Sequence, residues 1–142
     1  MNIKQALKEK NKQLKLISEN YQKLVTYNSV EEGTERPYDP AKSLEDWMKG
    51  IQDLVELKTK IHRANTKVYD KIFRLAELKS VAKQLRNLDC TTGKYSGYRS
   101  AEPIIKNAVI GLLKRDEMIK EIEAEIETIQ EELDNHNAKT KI

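Results

Sequence analysis

One pattern limits what this chain can become. Leu112, Arg115, Ile119, Ile122, Ile126, Ile129, Leu133 and His136 recur at steps of three and four. A helix turns once in 3.6 residues, so this spacing gathers the side chains into one stripe that another helix must cover. Two earlier stretches carry the same signal. From Asn2 to Tyr27 the stripe runs Ile3, Leu7, Lys10, Leu14, Ile17, Tyr21, Leu24, with Lys10 able to lay its aliphatic stem along it. From Pro40 to Leu88 it runs from Leu44 and Trp47 through Ile61 and Leu75 to Leu88.

The expected fold is therefore all-α. Three principal helices, 2–27, 40–88 and 112–135, should form long antiparallel hairpins of coiled-coil type in a single domain, 1–142. The middle helix, ~70 Å long at 1.5 Å per residue, should be about twice the length of the others. Composition agrees, since charged residues make up 35% and aromatics 6%, which suits helices with solvated faces and suits a sheet poorly.

The breaks are legible. Gly33, Pro37 and Pro40 make 28–39 a loop, and Asp39-Pro40 starts a helix, with Asp as the N-cap and Pro at the first helical position. Ser43 and Asp46 offer a start one turn later. Gly93, Gly97 and Pro103 interrupt 89–111, and Ile104, Ile105, Val109 and Ile110 around Lys106-Asn107 predict a short extended segment before the last helix. Ala64, Val68 and Ile72 are two steps of four in succession, a stutter that locally unwinds a supercoil. Beyond Asn135 the chain should fray.

From Arg36 to Asn137 the chain resembles a bacterial helical family sometimes labelled septicolysin, whose function is not established. The carrying residues are Pro37, Asp39 and Pro40 before a leucine-rich helix, then Leu57, Ile61, Ala64, Asn65 and Thr66, then Tyr95, Ser96 and Arg99. The family pattern Ile-Asn-x-Thr-Asn reads Ile61-His62-Arg63-Ala64-Asn65 here, a departure. The resemblance implies a helical fold and no activity. The toxin label finds no support in the residues, which contain neither a spanning stretch nor an amphipathic strand pair.

Little else points to chemistry. His62 and His136 are far apart, and Cys90 is the single cysteine. There is no metal-ligand spacing, nucleophile elbow or phosphate loop. The expectation is a protein that is not an enzyme, with no catalytic residues, no metal and no cofactor. No apolar run approaches the ~18 residues of a membrane span or the length of a signal peptide, so no membrane and a cytoplasmic location are expected.

Three features invite a binding role. Lys94, Tyr95, Tyr98 and Arg99 form a candidate recognition loop, or merely close the hairpin. Asn65 and Thr66, read as mid-helix, are candidate register-setting polar residues, a surface pair, or a ligand contact. Residues 58–106 hold twelve Lys and Arg against four carboxylates. That charge can track the phosphates of RNA or DNA, or it can face the last helix, where nine carboxylates outnumber three cations. Internal neutralisation is favoured. The functional expectation is a helical structural or protein-interaction protein acting through coiled-coil packing, with an unidentified protein partner; nucleic-acid binding is the alternative. Two short helices flanking one long helix would leave Trp47, Ile51, Leu75 and Ile126 poorly covered, so an antiparallel homodimer is expected, the first helix of one copy beside the third of the other; the rival is a compact monomer in which the long helix breaks near Gly50 or the stutter.

Overall fold

The computed structural model describes residues 1–96 and 102–142. The protein is mostly helical with one small antiparallel sheet. Its elements are α1 (Ile3–Tyr27), α2 (Pro40–Ala64), a single 3-10 turn (Thr66–Val68), α3 (Tyr69–Arg86), β1 (Gly93–Ser96), β2 (Pro103–Lys106) and α4 (Leu112–Lys139). No helix among the described residues is long and apolar enough to cross a membrane.

The stretch 40–88 is two helices, not one. Asn65 ends α2, its backbone N–H shared between the carbonyls of Ile61 and His62, and the Thr66 hydroxyl donates to the Arg63 carbonyl at 2.9 Å. Short polar side chains of this kind compete with the helix for its own backbone. The stutter sits at this point, and a 3-10 turn absorbs it, so that Ile61 and Val68 are both buried on either side. The chain divides near this break into two compact units, 1–67 with 134–142, and 68–133.

In the first unit α1 and α2 form an antiparallel hairpin. Tyr27 meets Tyr38, Tyr21 meets Trp47 at 5.2 Å between ring centroids, and Ile17 packs on Gly50. Asn2 caps α1 in a reciprocal box with Gln5, and Asp39 caps α2 through the Ala41 N–H. The expected stripe of α1 is half right. Ile3, Lys10, Ile17 and Leu24 face inward, but Ala6, Gln13 and Asn20 join them, while Leu14 and Tyr21 are exposed. The end of the chain does not fray. Ile3 N–H donates to the Thr140 carbonyl and Ile142 N–H to that of Met1, both at 3.1 Å, and Asn2 Nδ2 reaches the Ala138 carbonyl.

In the second unit α3 packs on α4. Val68, Leu75, Ile129 and Leu133 form the core, flanked by Ile72, Leu78 and Ile126. Leu75, expected to be poorly covered, is buried, and Trp47, Ile51 and Ile126 are half-buried. The stretch read as a loop, 89–111, holds β1 paired with β2, Gly93 opposite Lys106 and Tyr95 opposite Ile104. Gly93, read as a turn or cap, opens β1 with φ 127°, a backbone that L side chains resist.

Candidate interaction surface

Ten consecutive residues carry the largest departure from ordinary burial. In Ile104–Leu113, Val109 is 98% and Leu113 81% exposed, and Ile104, Ile105, Ile110 and Leu112 are exposed as well. Ile104 and Ile105 point to opposite faces of the hairpin because strand side chains alternate, so neither face is covered.

The base beneath these residues is built. Ala108 N–H donates to Thr92 Oγ1 at 3.2 Å, and the Arg115 guanidinium approaches the Leu88 carbonyl at 3.5 Å. Lys106 Nζ lies 3.2 Å from Asp89 Oδ2. Hydrogen bonds from the Thr91 hydroxyl and backbone N–H, then the Lys106 ammonium, hold the Asp89 carboxyl down at about 2. Lys106 is the sole ionisable residue between Ile104 and Leu113.

Three cations of the basic stretch face acid on α4. Lys71 pairs with Glu132 at 2.9 Å, Arg74 with Glu125, and Arg86 with Glu123, all from α3 to α4. Each pair is about half exposed, so each adds little to stability, and their main effect is to offset charge that a phosphate backbone would otherwise meet. The Glu125 hydrogen bond raises the pKa of the Arg74 guanidinium further.

Of the residues singled out by sequence, four are described. Lys94 is exposed on β1, and Tyr95 stands opposite Ile104 in the ladder, its side chain outside what is described. Tyr98 and Arg99 lie outside the described residues. Asn65 and Thr66 are at the helix break rather than mid-helix; Asn65 is half-buried with its Oδ1 lacking a hydrogen-bond partner, and Thr66 is exposed. Among the described residues no group of three or more His, Cys, Asp or Glu side chains is placed to hold a metal ion. Sequence reasoning noted Ile104, Ile105, Val109 and Ile110 only as a short extended segment. Apolar residue types predict burial, so nothing in the sequence announces that they stand in solvent.

No protein-family model, curated protein or solved structure matches the chain.

Proposed function

We propose that this is a non-enzymatic protein-interaction protein in which packed helices hold up an apolar docking surface at Ile104–Leu113. The exposure of Val109 and Leu113 carries the reading. A soluble chain seldom leaves so many large aliphatic side chains together in water unless another surface covers them. The partner is a protein presenting apolar side chains, because the surface offers almost no charge with which to select one.

The test is the double substitution Val109→Lys and Leu113→Lys. Both sites are exposed, so circular dichroism should be unchanged. The wild-type chain, immobilised, should retain a protein partner that the variant loses. A folded variant that retains every partner refutes the reading. The nucleic-acid reading is weakened by the pairing of Lys71, Arg74, Arg86 and Lys106 with carboxylates. It requires RNA binding at physiological salt that weakens steeply as salt rises, and the present reading expects none.

A further inference from the structure

The α1–α2 hairpin has two unlike sides. One is a mixed groove in which Leu16 and Ile17 lie among Glu9, Gln13, Asp46 and Asp53. The other is apolar. Leu14, Tyr21 and Val25 recur at seven and four along α1, so they fall within about 40° of one another on the helix. Leu44, Met48 and Val55 recur at four and seven along α2 and form a matching stripe. Each stripe is displaced about a quarter-turn from its helix's contact face, in the same rotational sense. In an antiparallel pair equal displacements come out on the same side. The six side chains therefore make one face, and each is 43–57% exposed.

We infer that this face is covered by the same face of a second copy, giving a two-fold four-helix bundle. Two observations favour a copy over a foreign partner. The first is area. At these exposures, residues of roughly 200 Å² each offer about 600 Å² per copy, so two copies would bury about 1,200 Å², enough for a specific interface. The second is charge. By helical spacing, Lys8 and Lys15 of α1 and Glu45 and Glu56 of α2 stand beside the apolar stripes, whereas Asp46 and Asp53 line the groove on the other side. A two-fold that sets α1 of one copy over α2 of the other places basic flank on acidic flank twice, and one that sets α1 over α1 opposes lysines. This surface is separate from Ile104–Leu113, so the dimer stands or falls independently of the docking reading.

Sedimentation equilibrium of the full chain at micromolar concentration should give twice the 16.5 kDa chain mass. The double substitution Leu14→Glu and Met48→Glu removes apolar area at exposed sites, and should weaken the dimer about a hundredfold with helix content unchanged. Lys8→Glu with Lys15→Glu should also weaken it, and adding Glu45→Lys with Glu56→Lys should restore it. A wild-type monomer at tens of micromolar overturns the inference. So does a dimer that survives Leu14→Glu with Met48→Glu, because its contact lies elsewhere. Charge reversal without rescue overturns the pairing of α1 with α2.

Discussion

Leu75→Ala is the sharpest probe of the packing between α3 and α4. Leu75 is 8% exposed and contributes to a core of four buried residues, so little else can compensate. Removing three carbons from an apolar site costs about 2.4 kcal/mol at 0.8 kcal/mol per methylene. A rigid cavity would add to this, but Ile72, Leu78 and Ile126 are only half-buried and can settle inward, so the added term is small. The expected loss is about 2.5–3 kcal/mol. Phe73→Ala on the same helix is the control. Phe73 is a larger side chain but 63% exposed, held by stacking on Tyr69 at 5.6 Å, so its loss should be under about 1 kcal/mol. Urea unfolding followed by circular dichroism, at one fixed protein concentration, measures both. A Leu75→Ala loss below about 1 kcal/mol, or equal losses from the two variants, would refute the argument that burial against α4 sets the stability of α3.

Three further outcomes are expected. Gly50→Ala sets a helix preference of about 1 kcal/mol against a new Cβ only 3.0 Å from Ile17 Cγ1 on a stiff β-branched side chain. It should destabilise the wild type but stabilise an Ile17→Ala background, and the same sign in both would defeat the steric account. Asn2→Ala removes the capping box and the bond to the Ala138 carbonyl, and thermal unfolding should show a loss of about 1–2 kcal/mol. Because the Asp89 carboxyl is depressed in the folded state, from 3.8 to about 2, its contribution is complete above pH 4 and is lost as pH falls toward 2. Amide resonances of Gly93 and Lys106 should lose their strand shifts across that window, and Asp89→Asn should abolish this pH dependence.

Much of the fold was readable because helical periodicity depends only on local geometry. The stripe on α4 is inward-facing as spaced, with Ile119, Ile129 and Leu133 buried, although Leu112 at its start is exposed. The cap at Asp39 and an extended stretch at Ile104 and Ile105 were readable from local chemistry as well, but Val109 and Ile110, read into the same segment, lie outside β2. The candidate site was not. Lys94 and Tyr95 fall on a strand, and the exposed aliphatics that define the docking surface look, as residue types, like core.

The sequence by itself determined that the chain is helical, where its first and last helices begin, and which residues of α4 turn inward. These follow from side-chain spacing and cap chemistry, which act within a few residues. Tertiary structure decided the rest. It buried both Ile61 and Val68 across the break at Asn65, where a 3-10 turn takes up the two steps of four. It put Gln13 and Asn20 toward α2 beside Ile17, which packs on Gly50, and left Leu14 exposed. It tied Thr140 and Ile142 to Ile3 and Met1, more than a hundred residues away. A stripe shows that a face must be covered; which neighbour covers it is a long-range choice, settled only when the whole chain packs.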